Sequence, residues 1–255
     1  ANDNIAATKA GYDYIKQNFP DDFKFKLEKV DNTERIFISG NEAISAGAIK
    51  AGCKFFAAYP MTPASSILHT MAAFERSYNI VVKHTEDEIA AINMAIGAAY
   101  AGTRSMVATS GGGFSLMVEG FGLAAQTETP LVVIEAQRPG PATGMATHSG
   151  QGDLRFVLHA STDEFPRIVI APGDVDQCYY KTIEAFNLAE KYQLPVIVLT
   201  DKYLGESYIS TEEFVNDGVV IDRGLILTEE ELEKIENYKK NSFNNFNLST
   251  ASFFP

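Results

Sequence analysis

Tryptophan is absent from this 255-residue chain, and cysteine occurs only twice, at Cys53 and Cys178. Two distant cysteines with no C-x-x-C pair exclude an iron–sulfur or zinc centre built by this chain alone. A disulfide between them is disfavoured in a reducing compartment, so both are expected as small buried fillers. Histidine is scarce too: His69, His84 and His159 show no metal-ligand spacing and receive no role. Basic residues are few, with 21 Lys and Arg against 33 Asp and Glu, a formal net charge of −12. That excludes a nucleic-acid partner, since phosphate neutralisation needs clustered cations; the acidity itself reads as solubility. No apolar run is long enough to span a bilayer. The longest, Ile89–Ala101, is interrupted by Asn93 and Gly97 and reads as a buried helix. Ala1–Phe19 has no apolar block followed by a cleavage site. No membrane association is expected, and cytoplasm is the expected location. The chain starts without Met and stops at Phe254-Pro255, so it is read as a piece of a longer polypeptide.

What is present is the composition of a globular α/β protein, with 45% apolar and 21% charged residues. Residues 1–34 give one helix, Asn4–Gln17, and a charged stretch read as a linker or the tail of a preceding domain. From residue 35 to about 215, short apolar runs alternate with helical periods. Strands are predicted at Arg35–Ser39, Phe55–Tyr59, Ile80–Lys83, Ser105–Thr109, Leu131–Glu135, Arg167–Ala171 and Val196–Thr200. Helices are predicted at Asn41–Ala51, Pro63–Arg76, Glu86–Ala101, Phe114–Gln126 and Val175–Lys191. Residues 216–255 read as an extension leading to a following domain, with a charged helix at Glu229–Lys239.

Runs such as Leu131-Val132-Val133-Ile134 do not alternate in polarity, as in strands covered on both faces. Repeated βα units of this length predict a doubly wound, mostly parallel sheet with helices on both faces. Ligands of such sheets sit beyond the carboxyl ends of the strands. Four loops fall there: Tyr59–Pro63, Lys83–Glu88, Thr109–Phe114 and the long Gln137–Asp153 stretch.

Glu88 opens a helix dense in small residues, from Ala90 to Ala101, which lets another backbone approach closely. A carboxylate there, if shielded from water, acquires a raised pKa and can manage a proton. Thr85-Glu86-Asp87-Glu88 also fits S/T-x-x-E, the capping box, and the local pattern favours that role. Ser110-Gly111-Gly112-Gly113 offers positive φ and bare N–H groups suited to an anion or a flat ring, or simply a tight turn. In Tyr59-Pro60-Met61-Thr62-Pro63, two prolines stiffen the loop and hold Thr62 extended. Alternatively, Pro63 is a first-turn proline with Thr62 as its cap. Arg138 can bind an anion or tie the long loop to backbone carbonyls. His148 has no triad-like neighbours.

Taken together, five runs resemble the alpha subunit, or alpha region of a fused subunit, of 2-oxoacid:ferredoxin oxidoreductases. They are Tyr-Pro-Met-Thr-Pro at 59–63, Glu-Asp-Glu-Ile-Ala-Ala-Ile-Asn-Met-Ala-Ile-Gly-Ala at 86–98, and Ala-Thr-Ser-Gly-Gly-Gly-Phe-Ser-Leu-Met at 108–117. Gln-Arg-Pro-Gly-Pro-Ala-Thr-Gly at 137–144 and Gln-Gly-Asp-Leu at 151–154 complete the set. The resemblance covers about residues 36–205, and residues 1–34 look like the end of a gamma region.

The resemblance implies a thiamine-diphosphate pyrimidine-binding domain. Glu88 matches the glutamate that hydrogen-bonds the cofactor's aminopyrimidine, which moves the balance at that residue from capping to catalysis. Tyr59, Pro60 and Ser110–Gly113 match segments lining the cofactor. Thr62 matches a threonine contacting the 2-oxoacid, with Arg138 and His148 as further substrate-side candidates. The implied reaction decarboxylates a 2-oxoacid, passes electrons to ferredoxin and transfers the acyl group to coenzyme A. A beta subunit is expected to supply the Mg2+–diphosphate site and the [4Fe-4S] cluster, because neither the Gly-Asp-Gly pattern nor cluster cysteines occur here. One departure bears on substrate: the family's Pro-Thr-Arg-Thr-Glu-Gln is Ala146-Thr147-His148-Ser149-Gly150-Gln151 here, and histidine cannot clamp a carboxylate bidentately as arginine does. A transketolase-like or dehydrogenase subunit, or a non-catalytic scaffold of the same fold, are the competing readings.

Overall fold

A computed structural model describes residues 2–20, 25, 28, 33–224, 226 and 227. The chain divides into two units, Ala1–Glu34 and Arg35–Pro255. The first contains α1 (Asn2–Asn18), none of whose residues is buried. The helix expected at 229–239 lies outside the described residues. No helix among the described residues is long and apolar enough to cross a membrane.

The second unit runs β1 (Ile36–Ser39), α2 (Gly40–Lys50), β2 (Phe55–Ala58), α3 (Ser65–Tyr78), β3 (Val81–His84), α4 (Glu88–Tyr100), β4 (Ser105–Thr109) and α5 (Gly111–Gln126). It continues with β5 (Leu131–Gln137), α6 (Leu154–His159), β6 (Ile168–Ile170), α7 (Val175–Tyr192), β7 (Pro195–Asp201), α8 (Lys202–Glu206) and β8 (Tyr208–Thr211). Six strands form one parallel sheet in the order β3-β2-β4-β5-β7-β6. Both faces are covered. Val132, Ile134 and Ala136 of β5 point into a core with Ile44, Met71 and Phe186, on the side of α2, α3 and α7. Leu131 and Val133 point the other way, into a core with Ile92, Phe114 and Phe121 of α4 and α5. The unalternating strand pattern therefore meant what parallel strands require.

The chain leaves β2 toward β3 on one side and returns to β4 on the other. The topological switch point thus lies between the carboxyl ends of β2 and β4, where open α/β sheets bind ligands.

Three expectations need correction. The strand expected at 35–39 forms, but outside this sheet: β1 pairs antiparallel with β8, from Ile36↔Thr211 to Ser39↔Tyr208. Phe37 is 70% exposed and stacks on Tyr208, so one face of this ribbon stays open, which a strand inside the covered sheet could not do. Secondly, structure continues beyond Val196–Thr200, the last element expected before residue 216. Asp201 Oδ1 accepts from Leu204 N at 2.9 Å and caps α8, which carries the chain into β8. Thirdly, Gly111–Gly113 are no loop: they form the first turn of α5.

Helices α2 and α7 pack very closely. A Cβ on Gly47 would strike the carbonyl oxygen of Tyr179 and lie 3.2 Å from Thr182 Cβ. Gly47→Ala is expected to cost about 1–3 kcal/mol, the usual penalty for overpacking, read as a lower denaturation midpoint with unchanged slope. An unaltered midpoint would mean the helices separate freely.

Candidate active site

Thr85 and Glu88 do not form the capping box that their spacing allows. Asp87 is the N-cap of α4, its Oδ1 accepting from Ala90 N at 2.7 Å, while Thr85 Oγ1 donates to Asp87 O. Glu88 becomes the first residue of the helix, relieved of capping. It is only 2% exposed, and its Oε1 has no hydrogen-bond partner among the described residues. Burial holds its carboxyl above the usual glutamate range; a hydrogen bond from its own backbone amide opposes this, Asp87 adds to it and Arg138 opposes it.

The glycines of α5 are explained by what presses on them. A Cβ on Gly113 would lie 2.5 Å from Glu88 Oε1 and collide with Thr109 Oγ1. On Gly111 it would lie 2.5 Å from Asp153 Oδ2, and on Gly112 3.3 Å from Ala142 O. None of the three has positive φ. Here the missing side chain makes room, and unusual backbone is not what requires it. Ser110, the N-cap, is fully buried and its hydroxyl has no partner.

The loop after β2 faces this turn. Met61 Sδ lies 4.0 Å from Thr109 Oγ1. Pro63 is not a first-turn proline, because α3 begins at Ser65 with Ala64 as its cap residue. The Thr62–Pro63 peptide is cis, and Ala64 N donates to Met61 O at 2.8 Å. Buried Asn41 of α2 holds the loop from behind, donating to Pro63 O and Ser66 Oγ, both at 2.8 Å. Arg138 ties two loops together: Nη1 donates to Thr62 O at 2.8 Å and Nη2 to Thr143 O at 2.7 Å. Its Nε is buried without a partner.

The long loop folds on itself. Met145 N donates to Pro139 O at 2.9 Å, and Gly144 has φ +60 with no room for a Cβ beside that same carbonyl. His148 is exposed on it, with Nδ1 3.4 Å from Thr147 Oγ1. Tyr59 and Pro60 are exposed at the end of β2. Thr62, Glu88, Ser110–Gly113 and Arg138 thus share one rim of the sheet.

Two residues at this rim escaped the sequence reading. Glu135, on β5, is fully buried with neither oxygen partnered, and Asp153 stands beside it. A glutamate within an apolar strand, Leu131-Val132-Val133-Ile134-Glu135, was the available signal. Size of hollow would have misled: one of about 720 Å3 lies among Phe37, Phe74, Tyr179 and Phe214, whose α2, α3 and α7 surroundings are the opposite face of the sheet.

Residues 46–247 match the family described as pyruvate flavodoxin/ferredoxin oxidoreductase, thiamine diP-bdg. The chain belongs to this family. Among relatives, a 2-oxoglutarate synthase subunit KorA of Archaeoglobus fulgidus is 49% identical over 172 residues, covering 68% of this chain and 50% of that one. Subunit alpha of 2-oxoacid:ferredoxin oxidoreductase 1 of Sulfurisphaera tokodaii is 40% identical over 265 residues, 98% of this chain and 41% of that one. A solved 2-oxoglutarate:ferredoxin oxidoreductase from Magnetococcus marinus, with 2-oxoglutarate, coenzyme A and succinyl-CoA bound, superposes with a TM-score of 0.78 at 36% identity. It covers 89% of this chain and 40% of that chain. The chain spans about half the length, or less, of the relatives it matches.

The sheet is therefore the thiamine-diphosphate-binding fold of this oxidoreductase family. The site fits that cofactor at one point above all: Glu88 presents a buried oxygen that no described residue satisfies. Among the described residues no cluster of His, Cys, Asp and Glu stands ready to hold a metal ion.

The raised pKa of Glu88 has a testable sign. Its folded-state value lies above the unfolded one, so its contribution to stability is fully present below the ordinary glutamate pKa and lost as pH rises through the folded value. Glu88→Gln is expected to be more stable than wild type at neutral and alkaline pH, with the advantage vanishing on acidification. Denaturant midpoints across pH measure this; parallel curves would mean a well-solvated carboxylate.

Proposed function

We propose that this chain supplies the pyrimidine side of the active site in a thiamine-diphosphate-dependent 2-oxoacid:ferredoxin oxidoreductase. The reaction oxidatively decarboxylates a 2-oxoacid to an acyl-coenzyme A and carbon dioxide. One observation carries the reading: Glu88 is buried at the start of α4, excused from capping by Asp87, with Oε1 unpaired. A scaffold would have no reason to keep an acid in a place where burial penalises its charge. A heterocyclic nitrogen of the aminopyrimidine would satisfy that oxygen, and a raised pKa suits a group that exchanges a proton with it. The cofactor, when bound, supplies the electron sink for cleaving the bond beside the 2-oxo carbon.

The remaining residues position and bind. Tyr59, Pro60 and the turn Ser110–Gly113 line the cofactor, with Gly113 leaving room for Glu88. Thr62 and Arg138 face the 2-oxoacid, with Arg138 fixing the Thr62 loop through its carbonyl. The diphosphate with its Mg2+, and the [4Fe-4S] cluster, belong to a partner beta subunit. The outer faces of α4 and α5 support such a partner: Ile89, Met94 and Leu116 are each about half exposed beside the site, more apolar surface than a solvent face needs. The gamma-like role of residues 1–34, the use of ferredoxin and a cytoplasmic setting are parts of the same reading. Relatives named for 2-oxoglutarate favour a dicarboxylic substrate, with His148 standing where the family's arginine clamps a carboxylate.

In the assembled enzyme, purified with its partner and assayed by 2-oxoacid- and coenzyme-A-dependent reduction of a viologen dye, Glu88→Gln is expected to lower turnover on the order of 10²-fold. Assembly should survive. Near-normal turnover would remove Glu88 from the chemistry. His148→Arg is expected to lower the KM for a 2-oxoacid with a second carboxylate on the order of ten-fold, the scale of one charge-assisted contact. An unchanged KM would show that His148 does not meet substrate.

A further inference from the structure

Glu135 is the most deeply buried acid near the site, and the reading above gives it no task. It lies on the α5 side of β5, since Leu131 and Val133, four and two residues earlier, enter the core there. Its strand neighbours are Thr109 of β4 and Leu199 of β7. Neither of its oxygens meets a donor, and the charged group facing it is Asp153. An ionised carboxylate so placed would be a buried charge without a partner, which proteins avoid by protonating it. Two carboxyls can bond each other only when one carries a proton.

Asp153 is itself held in place. Its backbone N–H donates to Gln137 Oε1 at 3.0 Å, and Gln137 Nε2 donates to Thr200 O at 3.2 Å. Two residues earlier, Gln151 Nε2 donates to Asp201 Oδ2 at 2.5 Å. The side chain of Asp153 then rests on Gly111, where a Cβ would stand 2.5 Å from Oδ2. On the other flank of the same helical turn, Glu88 rests on Gly113.

We infer that Glu135 and Asp153 are positioning residues that share one proton, and that this bond clamps the end of the 138–153 loop under the first turn of α5, opposite Glu88. Burial raises both acids; Glu135 lies fully buried within the sheet while Asp153 is only half-buried, so the proton resides on Glu135. The other groups around the pair do not compete for it. Thr109 from β4, Leu199 from β7 and Gly111 from α5 do not titrate. Asp201, at the end of β7, is occupied by Gln151 and Leu204. The loop's own cation, Arg138, is committed to the carbonyls of Thr62 and Thr143. The pair acts on the site through the loop carrying Arg138 and through the turn that backs Glu88. Only its relevance to catalysis rests on the reading of Glu88; the clamp does not.

The sign follows from linkage. A carboxyl whose folded pKa is raised stabilises below its unfolded pKa, and that contribution is lost as pH rises through the folded value. The clamp should therefore loosen on the alkaline side. Hydrogen exchange of the Met145 and His148 amides, both bonded within the loop, reads this in the assembled enzyme as protection factors corrected for intrinsic rate. Wild-type protection is expected to fall as pH rises. Glu135→Gln keeps a donor toward Asp153 without the titration, so its protection should match wild type at neutral pH and stay flat above it. Glu135→Ala should lose protection on the order of ten-fold at every pH. A flat wild-type profile, or a Glu135→Gln variant as unprotected as Glu135→Ala, overturns the inference; if Glu135→Ala does not fold, the first two profiles decide alone. Exchange needs no turnover, so a failure of Glu88→Gln to affect activity would sink the cofactor reading and leave this one untouched.

Discussion

Keeping the Glu88 carboxyl out of water while leaving one of its oxygens unpaired is the constraint around which this domain is arranged. Such a group costs stability in isolation, because burial removes its hydration and no described residue pairs with Oε1. The surrounding residues make room for the side chain in that position. Asp87 caps the helix, so Glu88 is not needed as the cap. Gly113 gives the carboxyl a place to lie, and Gly120 lets α5 approach α4 so closely that a Cβ there would be 2.7 Å from Ile92 Cγ2. The two helices are thereby fixed, and the distance between Glu88 and the turn with them.

The parallel sheet brings the remaining pieces to the same rim without any being close in sequence. Loops after β2, β3, β4 and β5 all emerge at the carboxyl ends of adjacent strands, and hydrogen bonds lock them to one another. Asn41 reaches from α2 to Pro63, Arg138 from the long loop to Thr62, and Gln137 from β5 to Asp153. Each bond is side chain to backbone, which fixes where a loop runs and leaves the loop's own side chains free to meet a ligand. This is a rigid frame bearing functional loops.

Much of this was legible from sequence, and the failures have physical reasons. The buried strands read correctly because two-sided burial removes polar alternation. The S/T-x-x-E pattern was ambiguous: Ser39 and Glu42 form the reciprocal box, with Ser39 N donating to Glu42 Oε2 at 2.8 Å, whereas Thr85 and Glu88 do not. The difference is Asp87, a stronger cap placed directly before Glu88, and the rule gives no weight to that competitor. The glycines were read for their freedom of φ, when their use is the volume they leave empty; a sequence records the absence of a side chain but not what fills the gap. Ile36–Ser39 has strand composition, yet its partner Tyr208–Thr211 lies more than 160 residues away, and pairing at that range leaves no local trace.

Unsatisfied buried atoms are rare in native chains; among the described residues some lie on Glu128, Gln193, Thr200 and Arg223, and the rest at this rim. Glu88 Oε1, Ser110 Oγ, Arg138 Nε, Asn41 Oδ1, Asp153 Oδ2 and both oxygens of Glu135 all belong to residues of this one rim or the loops bonded to it. They divide by chemistry. Glu135 and Asp153 can pair one oxygen each through a single proton, so most of their deficit is internal. Glu88, Ser110 and Arg138 have no such recourse: an acceptor, a hydroxyl and a cationic N–H, set around an exposed apolar helix face, call for a ligand that offers both donor and acceptor groups and for a surface that excludes water. A heteroaromatic cofactor held between two polypeptides meets both needs at once, which is why the proposed reading requires a partner and why a chain that already satisfied these atoms by itself would have been evidence against it.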